Sequence, residues 1–366
     1  MGSVYGKNIR VSIFGQSHSD AIGVTIDGFP AGFEIDMALL DAFMERRAPG
    51  KNAQSTARRE GDKVKFLSGL VGNVTCGAPI CAVIENTDMR SADYDKLKDI
   101  PRPAHADFTG HVKFNGHNDI RGGGHFSGRL TAPMCIAGAI CAQWLVSRGI
   151  KTGAHIYSIA DVSDIAFDIC KNSETVDFTQ IDPDFPVIDT AAGERMKTIV
   201  ENARADGDSV GGVIECAVTG LPAGIGNPMF DGAENKIASI IFGIPAVRGI
   251  EFGLGFESTK TKGSSHNDNF KIKDDKIITE TNNHGGILGG ITSGMPLVFR
   301  AAFKPTPSIA KTQQSISLSR MQVTPLEITG RHDPCVVIRA VPVVEAAAAI
   351  AIADMMLNYT QIWRGN

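Results

Sequence analysis

Histidine, arginine, serine and glycine gather in five short regions of this chain, and these residue types move protons and hold anions. The first is Phe14-Gly15-Gln16-Ser17-His18 and the second Arg102-Pro103-Ala104-His105-Ala106-Asp107. The third is Arg121-Gly122-Gly123-Gly124-His125-Phe126-Ser127-Gly128-Arg129. The fourth joins Asn283-His284-Gly285-Gly286-Ile287-Leu288-Gly289-Gly290 with Lys304-Pro305-Thr306-Pro307-Ser308, and the fifth is Gly330-Arg331-His332-Asp333-Pro334-Cys335. A histidine changes charge near neutral pH and can act as acid or base. Arginine presents a planar fork that matches phosphate and carboxylate. Glycine lets backbone groups approach a ligand closely. Taken singly, each region also has a plain structural explanation: a hydrogen-bonded loop histidine, a glycine turn, or a solvated charge run such as Arg58-Arg59-Glu60.

Known phosphate-binding scaffolds are missing. There is no G-x-x-x-x-G-K-[ST], and no G-x-G-x-x-G bridges a strand to a helix, because GLPAGIGNP runs into Pro228. A G-x-S-x-G nucleophile elbow is likewise lacking. With 36 basic and 40 acidic residues the net charge is -4, so the surface as a whole repels nucleic acid and anionic lipid. Anionic ligands must therefore be held by local basic clusters. Seven cysteines, odd in number and without a C-x-x-C pair, argue against a disulfide framework or a thiolate zinc site. They fit a reducing cytosol.

The elements that must position these regions follow from periodicity. Residues 9–14 alternate as a strand, which puts Ser17 and His18 on a loop at its end. Asp36 is placed to cap a helix through Arg47, with Met37, Leu40 and Met44 on one face, Pro49-Gly50 as its stop, and Arg46 and Arg47 in its last turn. Residues 64–71 and 79–86 are expected as strands, as are 213–218 and 297–303. A helix over 131–148 is expected to be capped by Thr131 and ended by Gly149; Asn227-Pro228 is expected to start another running to Phe242. Pro342 is expected to open an alanine-rich helix near the C-terminus, interrupted by Glu345 and Asp354 and so buried in protein and not in a membrane. Runs of strands and long helices without regular βαβ spacing predict an α+β fold in one compact domain over residues 1–366, and glycine-rich loops in both halves hint at internal duplication.

Together these regions resemble the chorismate synthase family. RGGG, NNHGGILGG and GRHDPCVVIRAVPVVEA occur in that order, and the matched segments span residues 9–345. The resemblance implies a β-α-β sandwich, with long helices between antiparallel sheets, assembled as a homotetramer. It implies a carbon-oxygen lyase that carries out the last step of the shikimate pathway: 1,4 trans elimination of phosphate from 5-enolpyruvylshikimate 3-phosphate to give chorismate. Reduced FMN is the implied obligatory cofactor, recycled without net redox change.

The substrate carries a phosphate and two carboxylates, and FMN adds a further phosphate, so such a pocket concentrates cations. By the resemblance, Ser17, Arg46, Arg47 and Arg129 hold substrate. FMN contacts carry over to His125, Phe126, Ser127, Pro245, Ala246, Gly289, Lys304, Pro305, Thr306, Pro307, Ser308 and Arg331. His18 assists the phosphate, His105 serves the flavin, Ser127 joins Ser17 in orienting the hydrogen-bond network, and Asp333 helps take the C6 proton. Arg59 matches one of two arginines linked to NADP use in some members; the other aligns with Ala53. The chain departs from the common pattern at Gln16 (usually Glu), Ala48 (usually basic), Ala104 (usually Gly), His125-Phe126 (usually Arg-Ser) and Pro245 (usually Asn).

Two other classes stand beside this one. A metal-dependent hydrolase is suggested by His105, His111, His117 and His125, although their spacing fits no common zinc motif. A non-catalytic flavin- or phosphate-binding module is suggested by the departures at 48 and 125. The N-terminal MGSVYGKNIRVSIFG lacks a basic start and an unbroken apolar run, so no export signal is expected and the location is cytoplasmic. No long insertion is available to house a flavin reductase, which favours an external reductant.

Overall fold

The computed structural model describes residues 2–48, 61–86, 97–167, 176–328 and 333–362. Two five-stranded sheets dominate. The first runs Val4–Tyr5, Arg10–Gly15, Ala21–Asp27, Ile80–Glu85, Lys65–Ser68 in spatial order, every pair antiparallel. The second runs Val247–Phe252, Leu297–Phe303, Gly212–Thr219, Lys151–Ile159, Val162–Ser163, also antiparallel throughout. Strand burial follows the pleat. In Ile80–Glu85 the residues Ile80, Ala82 and Ile84 are buried and alternate with more open ones.

Two long helices fill the space between the sheets. Thr131–Val146 packs on the first sheet, Val337–Ile362 on the second, and the two helices pack on each other. Both are apolar on nearly every side, the pattern of a helix with no solvent face. Two stretches, Gly128–Val146 and Val337–Tyr359, are long and apolar enough to cross a membrane, yet each lies mostly buried within this fold. They approach closely at Gly138, where a Cβ would fall 2.2 Å from the Cβ of Ala346. One hydrophobic cluster runs through both sheets and both helices, from Ile9 to Met356. The architecture is thus the β-α-β sandwich expected.

Local details follow the sequence in some places and correct it in others. Asp36 caps Met37–Arg47, its carboxylate accepting from the backbone N–H of Ala38 and Leu39. Thr131 does not cap its helix; its hydroxyl donates to the Gly128 carbonyl, and Leu130 occupies the cap without a side-chain bond. Asn227-Pro228 leads into a single short turn, Met229–Asp231, before the helix Ala233–Ile241 begins. Pro342 lies inside Val337–Ile362 and does not open it. Burial between the sheets offsets the one backbone bond that the proline ring cannot donate. The expected stop at Pro49-Gly50 lies outside the described residues.

Candidate active site

A cleft of about 1160 Å³ opens where the first sheet, the glycine-rich loop, the end of Ala233–Ile241 and the start of Val337–Ile362 meet. The loop supplies its most constrained wall. Gly122, Gly123 and Gly124 have φ of 59°, 86° and 56°, the left-handed region that favours glycine. Close contact adds a second requirement. A Cβ on Gly122 would sit 2.4 Å from His18 Cε1 and 2.5 Å from Ser17 Oγ, and one on Gly123 would sit 3.3 Å from His105 Cε1 and Nε2. The triple glycine is therefore a thin backbone wall with His18 and Ser17 against one residue and His105 against the next.

His105 faces the cleft and is held from behind. Its Nδ1 lies 2.6 Å from Asp107 Oδ1. Asp107 also accepts two bonds from the Arg102 side chain, at 2.7 and 2.9 Å, and one from the Arg102 backbone N–H at 3.0 Å. Arg102 reaches on to Ser308 Oγ at 3.1 Å. Burial alone would raise the Asp107 pKa, but Arg102 and His105 outweigh it and hold the carboxyl far below the ordinary range. Ala104 has φ of +56°, so the glycine common at this position in the family relieves a real backbone demand. The Ala104 carbonyl accepts from Lys304 Nζ.

A second cationic cluster lines the floor. Arg47 donates to Asp62 Oδ2 at 2.7 Å, to the Gly128 carbonyl at 3.0 Å and to Thr131 Oγ1 at 3.3 Å. Arg129 donates to the other oxygen of the same carboxylate and to Asn86 Oδ1 at 3.2 Å. Burial opposes ionisation of Asp62, yet the two guanidinium groups keep its pKa below the usual value. Asp333, on the cleft wall, accepts from Arg339 Nη1 at 2.7 Å. Six cations (Arg47, Arg102, Arg129, Arg248, Lys304, Arg339) line this cleft against three paired carboxylates (Asp62, Asp107, Asp333), an excess of positive charge suited to anions.

Other expected residues are placed as follows. His125, Phe126, Ser127, Pro245, Ala246, Lys304, Thr306, Pro307 and Ser308 line the cleft, with Pro305 beside them in the chain. His125 uses its ring structurally: Nδ1 donates to the Gly15 carbonyl at 2.8 Å, leaving Nε2 to accept from Ser3 Oγ at 2.7 Å. Ser17 and His18 are buried behind Gly122 and do not reach the cleft surface themselves. Arg46 turns away, forming two 2.7 Å bonds with Glu345. Gly289 sits on the turn between Ile287–Leu288 and Ile291–Thr292, whose Gly290 touches Gly232 at the far end of Ala233–Ile241. Gly289 is not among the residues that line the cleft. Arg59 and Arg331 lie outside the described residues.

Sequence reasoning passed over Arg102, Asp107, Asp62, Arg248 and Arg339. Arg102 and Asp107 flank His105 within one quoted segment, and their charge pairing was the available signal; Asp62 carried none. The four histidines of the hydrolase reading do not converge, since His105 pairs with Asp107 while His125 bonds Gly15 and Ser3. Among the described residues no cluster of three His, Cys, Asp or Glu is arranged to hold a metal.

A cleft with this excess of cations and an oriented histidine on its wall defines an enzyme acting on a small polyanion. Comparison with known proteins gives the particular family. The chorismate synthase family matches residues 9–357. A chorismate synthase of Dehalococcoides mccartyi is 45% identical over 359 residues, covering 98% of this chain and 97% of that protein. One of Thermococcus kodakarensis is 45% identical over 361 residues, covering 98% and 99%. A solved chorismate synthase crystal structure superposes with a TM-score of 0.74 at 25% identity, covering 97% of this chain and 93% of the other. The chain belongs to the chorismate synthase family, lyases of the shikimate pathway that eliminate phosphate from 5-enolpyruvylshikimate 3-phosphate to form chorismate.

Proposed function

We propose that this cleft holds reduced FMN and 5-enolpyruvylshikimate 3-phosphate side by side. The observation that carries this is the convergence of six cations, His105 and Asp333 on one cavity of about 1160 Å³. That volume exceeds the ~300–1,000 Å³ of an ordinary ligand pocket and leaves room for two molecules. The residues fit a flavin mononucleotide: Thr306 Oγ1 is buried without a hydrogen-bond partner among the described residues, in the same cleft lining as Lys304 and Arg248. Lys304, Thr306, Pro307, Ser308, Pro245, Ala246, Phe126 and Ser127 would hold it. When bound, reduced flavin supplies an electron that starts cleavage of the C3–O bond and is returned when the cycle closes.

The protein's own groups position charge and move protons. Arg47 and Arg129, fixed by one shared carboxylate, hold the anionic groups of the substrate. His18, one backbone layer behind the cleft at Gly122, passes its proton to the departing phosphate through a bridging water, and His105 manages the flavin's proton. Asp333 helps take the C6 proton, its carboxylate held in place by Arg339 Nη1 at 2.7 Å. Chorismate formation under anaerobic conditions with photoreduced FMN tests this reading; FMN affinity that does not change with saturating substrate would count against a shared pocket.

Assembly and setting complete the proposal. The core common to both sheets supports a single domain. Phe270, Ile272 and Ile277 stand exposed on one hairpin, and Phe256 on a nearby turn, apolar surface of the kind that self-association covers. This supports self-association, for which the family resemblance implies a homotetramer, measurable by light scattering. A cytoplasmic enzyme supplied with reduced flavin by an external reductant fits the sequence, and Arg59 remains the candidate for NADP contact.

A further inference from the structure

His105 Nδ1 has two neighbours: Asp107 Oδ1 at 2.6 Å and Arg102 Nη2 at 3.1 Å. A guanidinium only donates. If Nδ1 were unprotonated, Arg102 could donate to it, but two lone pairs would then face each other at 2.6 Å. If Nδ1 carries the proton, it donates to Oδ1, and Arg102 donates to the same oxygen from the side at 2.9 Å. Only the second arrangement satisfies every group. Oδ2 is engaged as well, by the Arg102 backbone and Nε, so the carboxylate cannot rotate away. Both charged side chains are about 5% exposed, which shields the contact from water.

We propose that Asp107 is a positioning residue for the elimination: it fixes His105 as the Nδ1–H tautomer and leaves Nε2, on the edge beside Gly123, as the nitrogen that exchanges a proton in the cleft. This rests on the reading of His105 as a proton-handling residue. Arg102 completes the device. It clamps Asp107 and ties it through Ser308 to the cleft wall that runs from Lys304. In Asp107→Asn the side-chain amide can turn its NH₂ toward Nδ1, which would accept and drive the proton to Nε2. The ring would keep its place but present the wrong nitrogen.

The test combines a spectroscopic and a kinetic measurement on the full-length protein. In ¹⁵N-histidine NMR, with the signal assigned by its loss in His105→Ala, the wild type should show Nδ1 protonated and Asp107→Asn should show the proton moved to Nε2. Turnover per folded molecule in Asp107→Asn should fall by ~10² or more. The double variant Asp107→Asn/His105→Ala should be no slower than His105→Ala alone. An Nε2–H tautomer in the wild type overturns the proposal even if the Asn variant does not fold. So does an impaired His105→Ala whose double variant loses activity multiplicatively, since Asp107 would then act independently. Failure of the underlying reading is distinguishable, because there His105→Ala itself would turn over at the wild-type rate.

Discussion

Gly122 presses its backbone against the ring of His18, so that a Cβ on Gly122 would fall 2.4 Å from His18 Cε1. Its φ of +59° adds a second barrier to any side chain. The residue nearest the cleft at this point is thus the one that leaves His18 its place.

Gly122→Ala should displace His18 and strain the loop together. A left-handed alanine costs about 1–2 kcal/mol, and overpacking a further 1–3 kcal/mol. Turnover should fall more than the loss of folded protein explains, which thermal melting and an anaerobic rate measurement on the same sample would reveal. Unchanged activity per folded molecule would separate His18 from the chemistry.

His18→Ala removes a proposed proton donor while leaving the Lys304–Ser308 wall intact. The expected loss in rate is ~10²–10⁴, with FMN affinity in fluorescence titration close to that of the wild type. A near-normal rate would remove His18 from the mechanism.

Asp333→Asn keeps shape but removes the base, so single-turnover chorismate formation should drop by ~10² or more. The competing view, that Asp333 serves only to neutralise Arg339, predicts instead a stability loss of roughly 0.5–3 kcal/mol with activity per folded molecule preserved. Melting and turnover measured together decide between them.

His155 should make stability depend on pH. It is fully buried, 3.0 Å from Asp164 and 3.1 Å from Glu215, with Arg300 on the far oxygen of Glu215. Burial opposes its charge, but the two carboxylates win and raise its pKa; the same contacts lower those of Asp164 and Glu215 against the opposing effect of burial. A raised histidine stabilises fully below its unfolded pKa of about 6.5 and loses that contribution as pH rises through the folded value. The lowered carboxylates stabilise fully above about 4 and lose it as pH falls. Melting temperature should therefore hold between roughly pH 4.5 and 6.5 and decline on the alkaline side. In His155→Gln that alkaline decline should flatten, and about 3–5 kcal/mol should be lost through uncompensated buried charge.

Gly138→Ala tests the sandwich itself. Its Cβ would lie 2.2 Å from that of Ala346, so the two central helices must separate. A loss of about 1–3 kcal/mol is expected, read as a lower denaturant midpoint.

Which chemistry is available, and much of the scaffold, can be read from the order of residues alone. The order of RGGG, NNHGGILGG and GRHDPCVVIRAVPVVEA identifies the family, and Asp36 before Met37–Arg47 marks a helix start that needs only local backbone contacts. The largely apolar surfaces of Thr131–Val146 and Val337–Ile362 require burial wherever they pack. Tertiary structure alone decided which groups meet. Arg46 and Arg47 are neighbours in the chain and of one residue type, yet helical geometry sets them about 100° apart. One pairs with Glu345 and the other with Asp62 beside the cleft. Nothing local marks Asp62 as the shared partner of Arg47 and Arg129, because that pairing joins residues 67 positions apart. Pro342 sits inside a helix because packing outweighs a propensity of about 3 kcal/mol. Local rules read out of a sequence reach only a few residues, whereas the cleft is assembled by the closing of two sheets over two buried helices.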